Sequence, residues 1–244
     1  MVFLNGLFDM YCTPGPYITE KFTRLNKNKQ FIIVETGWSK LDSLDIQNRI
    51  GSQIFRNDFQ TILYAPTFSN KLTSAYNLFD TIKRLQKFNY NWIIKFHELM
   101  DKSLIQNYTN LKSKKLSIIT APDILPLMSE SNILLTDTSS VAYEYLLFNK
   151  PIITYNAKTR IDKGINILSP SELEGALIRT ITNPDEYKEN REYYLSELHP
   201  YLDGNSSARV LDAVSQVIKN GQKQSTKLNL LYFYNRWKTR NWVS

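Results

Sequence analysis

The sequence predicts an α/β protein built on a Rossmann-like parallel sheet. Short apolar runs recur along the chain, and amphipathic stretches with helical periodicity separate them. Strands that alternate with helices form parallel sheets with right-handed crossovers. The strands are predicted at residues 61–65, 92–96, 116–120, 132–136 and 152–155, and the helices between them at residues 74–88, 101–111, 123–129 and 141–148.

Residues 132–155, with the sequence NILLTDTSSVAYEYLLFNKPIITY, form the central β-α-β unit of this prediction. Polar residues fill the turn between strand and helix, where unpaired N–H groups and the helix dipole favour a bound phosphate. Glu144 follows about one turn into the helix, where it can hydrogen-bond a ribose. The turn itself equally fits a plain cap of a structural helix, and its spacing leaves both interpretations open: Asp137, Thr138, Ser139 and Ser140.

Polar residues also follow the other predicted strands. In a parallel sheet the carboxyl ends of the strands share one edge, and ligands bind beyond that edge. Convergence of several polar positions there is a stronger signal than any one of them. The sequence therefore predicts a site for a phosphate-bearing ligand at this edge, formed by Thr67, His97, Asp123 and the turn Thr138, Ser139 and Ser140.

The segments on either side of this regular pattern are less complete. The first 50 residues carry two predicted strands and two predicted helices, which are too few for a complete layer (strands 1–4 and 31–34, helices 17–25 and 41–50). Helices are predicted again at residues 171–182, 184–198 and 206–219. The basic, aromatic stretch 228–244 fits either a segment on an anionic membrane surface or a helix packed back on the protein, and the second is slightly favoured.

Composition limits the classes of partner. The chain of 244 residues has a net charge of +7, which favours anionic partners. It has no RNA-binding signature, zinc-finger spacing or Lys/Arg block, so nucleic acid is not expected. The lone Cys12 excludes an internal disulfide and indicates a reducing, cytosolic setting. Neither a signal peptide nor a membrane-spanning apolar run is predicted. A metal site is not predicted either, because no second carboxylate lies near Asp137 in the sequence.

Five motifs follow one another in the order and approximate spacing of a known family: ETGWSKLD (35–42), ILYAPTF (62–68), IIKFH (93–97), LLTDTSSVAYEYLLFNKPIITY (134–155) and Asp203-Gly204…Arg209. Together they resemble the CDP-glycerol glycerophosphotransferases, the teichoic-acid and capsule polymerases and primases, up to about residue 219. That family is similar in fold to GT-B glycosyltransferases, which have two Rossmann-like domains and bind the nucleotide on the C-terminal one. The resemblance implies a truncated N-terminal, acceptor-side remnant at 1–55, a nucleotide-donor domain at 56–220 and a C-terminal tail at 221–244.

The resemblance also implies a reaction. A polyol phosphate, such as glycerol phosphate, passes from its CDP donor to the hydroxyl of a polyol-phosphate or glycan acceptor, and CMP is released; no cofactor takes part. His97 matches a family histidine, and its imidazole can serve as base or as cation beside the transferred phosphate. The turn Thr138, Ser139 and Ser140 matches the diphosphate-binding element, Glu144 the acidic position after it, and Arg209 a late arginine near the donor phosphates.

The chain departs from the family pattern at several positions. Asn5 replaces a histidine that is often taken as the catalytic base, and an amide cannot accept a proton at neutral pH. Lys95 and Glu98 replace an arginine and a proline around His97, and Phe68-Ser69 replaces the usual Trp-Arg. Met1 falls late in the N-terminal domain, so a partner chain that supplies the rest is one expectation.

Two other functions fit the same residues. One is a nucleotide-sugar glycosyltransferase or epimerase of the GT-B fold, although its corresponding turn is usually glycine-rich. The other is a donor-binding module without catalysis, which Asn5 favours. For the transferase, the expected location is the cytoplasm, with peripheral contact to the inner face of the membrane.

Overall fold

The computed structural model describes residues 8–27, 29, 31–43, 54–120 and 123–221. The chain divides into two compact units. The terminal unit combines Met1–Asp45 with Ser196–Ser244, and the central unit is Ile46–Leu195. The chain thus changes unit at residues 45 and 195, whereas the sequence-based domain limits lie at 55 and 220; those limits stay predictions.

The described residues form eight strands and eight α-helices. The strands are β1 Met10–Thr13, β2 Ile32–Glu35, β3 Gln60–Tyr64, β4 Tyr90–Lys95, β5 Leu116–Ile119, β6 Ile133–Thr136, β7 Ile152–Tyr155 and β8 Ile165–Ile167. The helices are α1 Pro16–Leu25, α2 Ala75–Leu85, α3 Lys102–Thr109, α4 Leu125–Glu130, α5 Val141–Tyr145, α6 Leu173–Thr182, α7 Lys188–Leu198 and α8 Ser206–Lys219. None of the helices in these ranges is both long and apolar enough to cross a membrane.

The central unit is built on a six-stranded parallel sheet in the order β5-β4-β3-β6-β7-β8. Counted from β3, this is the order 3-2-1-4-5-6 of doubly wound nucleotide-binding folds. The chain direction across the sheet reverses between β3 and β6, which pair through Leu63 and Leu134. In such sheets ligands bind at this switch point, beyond the carboxyl ends of the two strands.

Burial of both sheet faces explains why the central strands are continuous apolar runs. Ile62, Leu63 and Tyr64 of β3 are all fully buried, as strands covered by helices on both sides must be. Helix α2 covers one face with Leu78 and Ile82 because apolar residues four positions apart share one side of a helix. The packed core of the central unit therefore fixes the positions of the ends of β3 and β6 at the switch point.

In the terminal unit, residues 35–42 bind the C-terminal part of the same unit. Glu35 accepts a hydrogen bond from the Tyr201 hydroxyl at 2.9 Å, and Asp42 accepts one from the backbone N–H of Ser206 at 2.9 Å. Gly37 has φ +86°, and a Cβ there would lie 2.4 Å from the Ser206 hydroxyl oxygen, so only glycine fits. This motif of the sequence therefore has a structural role in the terminal unit.

Most of the predicted strands are confirmed to within a residue or two, but two strands were not predicted. These are β1, which pairs in parallel with β2, and the three-residue β8. Pro126 does not interrupt the helix that was predicted at residues 123–129. Helix α4 begins at Leu125, and Pro126 stands in its first turn, where no intrahelical N–H bond is lost.

Four further expectations concern helix limits and regions beyond the described residues. Helix α7 begins at Lys188 instead of residue 184. The expected helix 41–50 is represented by a 3₁₀ helix, Ser39–Ser43. The remainder of that helix, the strand at 1–4 and the tail 228–244 lie outside the described residues.

Candidate functional site

The four strands that were expected to carry the site are neighbours in the sheet. Their order is β5-β4-β3-β6, and Asp123, His97, Thr67 and Ser139 follow their respective carboxyl ends. Adjacent strands lie about 4.8 Å apart, so β3 and β6 are in contact while β5 lies about 14 Å from β6. The predicted convergence is thus confirmed for the strand ends, with Asp123 at the far side.

Asp137 fixes the switch point. Its carboxylate is 2% exposed and accepts hydrogen bonds from the backbone N–H of Thr67 at 3.0 Å and of Ser74 at 2.9 Å, and from the Ser74 hydroxyl at 2.9 Å. These contacts join the end of β6 to the loop after β3 and to the start of α2. Sequence reasoning treated Asp137 as a cap of the following helix, and its long-range anchoring role was missed.

The turn 138–140 presents hydroxyl groups at the end of β6. Thr138 and Ser140 are exposed and Ser139 is half-buried. The Ser139 hydroxyl oxygen accepts from the backbone N–H of Val141 at 3.4 Å. The expected helix 141–148 is present, but only Val141–Tyr145 is α-helical and Leu146–Phe148 is a 3₁₀ turn. Because this helix is short, the hydroxyl groups and the strand end carry the argument for an anion site.

His97 is exposed just beyond the end of β4. Its Nδ1 accepts a hydrogen bond from the backbone N–H of Leu99 at 3.1 Å. Its ring lies 4.5 Å from the ring of Phe68, which belongs to the loop after β3. A neutral imidazole whose Nδ1 accepts a hydrogen bond carries its proton on Nε2. In this arrangement His97 offers an N–H donor, the group that binds a phosphate oxygen.

Asp123 and Glu144 are the other predicted site residues of the central unit. Asp123 is exposed, and its Oδ1 accepts from the backbone N–H of Leu125 at 3.0 Å, at the start of α4. Glu144 is half-buried in α5, one residue after Tyr143. Both belong to the central unit with Thr67, His97 and the turn 138–140.

Arg209 and Asn5 do not belong to the described part of the central unit. Arg209 belongs to the terminal unit, where its Nη1 lies 3.0 Å from an Asp203 oxygen and its guanidinium lies 4.6 Å above the ring of Tyr201. The hydrogen bond from Arg209 lowers the pKa of Asp203 to about 2. Asn5 lies outside the described residues.

Two cations beside α5 were not predicted. The guanidinium of Arg160 and the Nζ of Lys163 each lie 5.8 Å from the centre of the Tyr143 ring. Lys163 is 3% exposed, and burial lowers its pKa to about 8. The signal in the sequence is the run of charges at 158–163 after β7, but only the fold brings it to Tyr143.

In the part of the chain that the structure describes, a metal site and a cavity were considered as alternative centres. Among residues 8–221 that the structure describes, no group of three His, Cys, Asp or Glu side chains could hold a metal ion. A cavity of about 590 Å³ lies where α6 ends, next to the amino ends of β7 and β8. It is therefore on the opposite edge of the sheet from the switch point. The residues that line it are Arg179, Thr182, Asn183, Pro184, Asp185 and Glu186.

The sheet order and the polar switch-point edge define a doubly wound, Rossmann-like α/β protein. The sequence profile of the family described as "CDP-Glycerol:Poly(glycerophosphate) glycerophosphotransferase" matches residues 7–216. This match covers more than half of the chain, and the chain therefore belongs to that family.

Curated relatives come from the same group. The chain is 27% identical over 217 residues to the teichoic acid glycerol-phosphate primase of Bacillus subtilis strain 168, a match that covers 84% of this chain and 51% of the relative. It is 32% identical over 178 residues to the teichoic acid poly(ribitol-phosphate) polymerase of Bacillus spizizenii W23, covering 66% of this chain and 28% of the relative. The chain thus spans about half of the length of the first relative and 28% of the second.

Solved structures confirm the fold. The wall teichoic acid polymerase TagF superposes with a TM-score of 0.64 at 20% identity, over 88% of this chain and 60% of that one. An MnaA from S. aureus, solved with UDP, superposes with a TM-score of 0.62 at 15% identity, over 87% of this chain and 60% of that one. At these identities the likeness shows a shared GT-B-like fold and nothing further.

Proposed function

We propose that this chain binds a CDP-polyol, with CDP-glycerol as the first candidate, and forms the donor-binding part of a polyol-phosphate transferase of teichoic-acid or related cell-surface polymer synthesis. One observation carries the proposal. A chain of the glycerophosphotransferase family places the hydroxyl-rich turn 138–140 at the switch point of its sheet. Phosphates bind at this location in doubly wound folds.

The polar groups of the edge have distinct roles in this proposal. Ser139 and Ser140 donate hydroxyl hydrogen bonds to the diphosphate, and Thr138 lines the same turn. Glu144 binds the ribose. His97 donates its Nε2–H to a phosphate oxygen, where it stabilises the negative charge of the transferred group. Thr67 and Asp123 line the neighbouring strand ends. A role of Arg209 in donor binding is proposed from the family motif alone.

The proposed reaction transfers one glycerophosphoryl group from the CDP donor to the acceptor. The acceptor oxygen attacks the phosphorus that carries the glycerol, the bond from this phosphorus to the bridging oxygen breaks, and CMP leaves with that oxygen. The acceptor hydroxyl must give up its proton to a base. Asn5 cannot take it, because an amide is not protonated at neutral pH. In the same proposal the acceptor is a polyol phosphate or a glycan, and a partner chain contributes this base.

The cellular setting is also a proposal. A single cysteine agrees with the reducing cytoplasm, where CDP-activated substrates are expected for this family. The basic, aromatic stretch 228–244 agrees with peripheral contact to an anionic membrane surface. We also propose that residues 1–55 are the acceptor-side remnant, residues 56–220 the donor domain and residues 221–244 the C-terminal tail.

Calorimetric titration of the 244-residue chain with CDP-glycerol tests the donor site. We expect binding by the unaltered protein and at least a tenfold loss of affinity in the double variant Ser139→Ala/Ser140→Ala, because two hydroxyl donors to a charged group are removed. The variant Ser169→Ala/Ser171→Ala removes two serine hydroxyls between β8 and α6 and should bind as the unaltered protein does.

Titration with a UDP-sugar in place of CDP-glycerol distinguishes the alternative of a nucleotide-sugar enzyme. Tighter binding of the UDP-sugar would favour that alternative. Binding of neither nucleotide by the unaltered protein would refute a self-sufficient donor site in this chain.

A further inference from the structure

An aromatic side chain and a backbone amide together hold His97. Phe68 is 41% exposed, although it is a large apolar residue on a loop of the central unit. Its ring packs on the imidazole of His97 with a centroid distance of 4.5 Å and an angle of 31° between the planes. The two residues follow neighbouring strands, β3 and β4, so the sheet itself brings them together.

The second contact acts on a different part of the imidazole. The backbone N–H of Leu99 donates to Nδ1 of His97 at 3.1 Å. A packed ring face restricts rotation of the side chain, whereas the hydrogen bond decides which nitrogen carries the proton. An Nδ1–H would point at the Leu99 N–H, and two donors facing each other would lose this hydrogen bond. The two contacts therefore favour one orientation and one tautomer.

The loop that carries Phe68 is itself fixed. Thr67, the preceding residue, donates its backbone N–H to the buried carboxylate of Asp137 at 3.0 Å. Phe68 is thus connected through one residue to the anchor of the switch point. The position of His97 consequently depends on β3, β4 and β6 together.

We propose that Phe68 is a positioning residue that keeps His97 as an Nε2–H hydrogen-bond donor for an anionic ligand at the strand edge. The identity of that ligand as a CDP-polyol rests on the proposed function, but the positioning itself does not. In this role Phe68 touches His97 and acts on the ligand through it.

Nitrogen-15 NMR of the imidazole groups tests the positioning without any ligand. The chain has two histidines, and the variant His199→Gln identifies the signals of His97. At about pH 8, where an ordinary imidazole is neutral, we expect the Nε2–H tautomer to dominate in the unaltered protein. Phe68→Ala should shift the spectrum toward a mixture of tautomers, and Phe68→Trp should restore it.

Leu72→Ala is the matched control, because Leu72 is an exposed apolar residue of the same loop, at 57% exposure. It should leave the His97 signals unchanged. Mixed tautomers in the unaltered protein, or an unchanged spectrum in Phe68→Ala, would overturn the inference.

Titration with CDP-glycerol extends the test to the ligand. Phe68→Ala should weaken binding several-fold, and Phe68→Trp should recover most of the affinity. If the unaltered protein binds no CDP-glycerol while the tautomer results hold, the proposed function fails and the positioning stands. If Phe68→Ala alters the tautomers but binds CDP-glycerol normally, positioning for this ligand is refuted.

Discussion

At the scale of single residues, Asp137 shows how one buried carboxylate joins distant segments. It accepts hydrogen bonds from Thr67, 70 positions earlier, and from Ser74, 63 positions earlier. Two of the donors are backbone N–H groups, which need a partner wherever they are buried. Loss of one acceptor oxygen at this position therefore affects the strand edge as a whole.

The variant Asp137→Asn keeps the size of the side chain but replaces one acceptor oxygen with an NH₂ donor. It should lower the free energy of unfolding by about 1–3 kcal/mol, because at least one buried donor at Thr67 or Ser74 loses its partner. Urea denaturation followed by circular dichroism measures the change. Asp58→Asn, at an exposed aspartate, should have no effect, and equal stability of both variants would contradict the described contacts.

The predictable part of the site was its strand ends. Apolar runs that stop at His97 or at Thr138 mark where a parallel strand ends, and the sheet then collects these ends on one edge. The pairing of Phe68 with His97 and the position of Arg160 beside Tyr143 could not be read in the same way. Both depend on loop conformations, which carry no periodic pattern in sequence.

At the scale of elements, the buried strands were predicted because continuous apolar runs leave few alternatives. The strands β1 and β8 were missed because their sequences, MYCT and INI, lack the continuous aliphatic run of the other strands, and pairing with β2 and β7 stabilises them instead. Propensity decides little for such short strands, since packing against a neighbour dominates.

Helix α8 depends on an acceptor outside its own sequence. Asp42 accepts from the backbone N–H groups of Ser206 at 2.9 Å and Ser207 at 2.5 Å, and hydrogen bonds from Ser207 and Ser206 lower the pKa of Asp42. Asp42→Ala should lower the midpoint of thermal unfolding by a few degrees, because the first turn of α8 loses its capping carboxylate.

Asp42→Asn retains one acceptor oxygen and should lie between Asp42→Ala and the unaltered protein. Asp212→Ala, at an exposed position within α8, serves as the control in the same differential scanning measurement. A larger effect at Asp212 than at Asp42 would refute the capping role.

At the scale of the whole molecule, His199 links stability to pH. It stacks on Trp38 at 5.1 Å between ring centres, and burial lowers its pKa to about 4. In the unfolded chain the pKa of the His199 imidazole is about 6.5. Between these values the unfolded state holds more protons, so the contribution of His199 to stability is complete above pH 6.5 and decreases as the pH falls toward 4.

The decrease amounts to about 3 kcal/mol at most, since one pKa unit corresponds to about 1.4 kcal/mol. His199→Gln should remove this part of the pH dependence. Urea denaturation of both proteins at about pH 7 and pH 4.5 measures the difference, in which carboxylates such as Asp203 cancel. A parallel pH dependence in the two proteins would show that His199 is accessible to protons in the folded state.

Glu35 and Asp42 can contact Tyr201 and Ser206 only after these later residues have been synthesised. Asp42 and its partner Ser206 are 164 residues apart in the chain. A ribosome that adds roughly 5–20 residues per second needs on the order of 10–30 s to synthesise the second after the first. During translation the opening segment consequently emerges without its partners, while the strands of the central unit are all made in the interval. The nascent chain can therefore complete its six-stranded sheet first, and these contacts of the terminal unit form only after Ser206 has been synthesised.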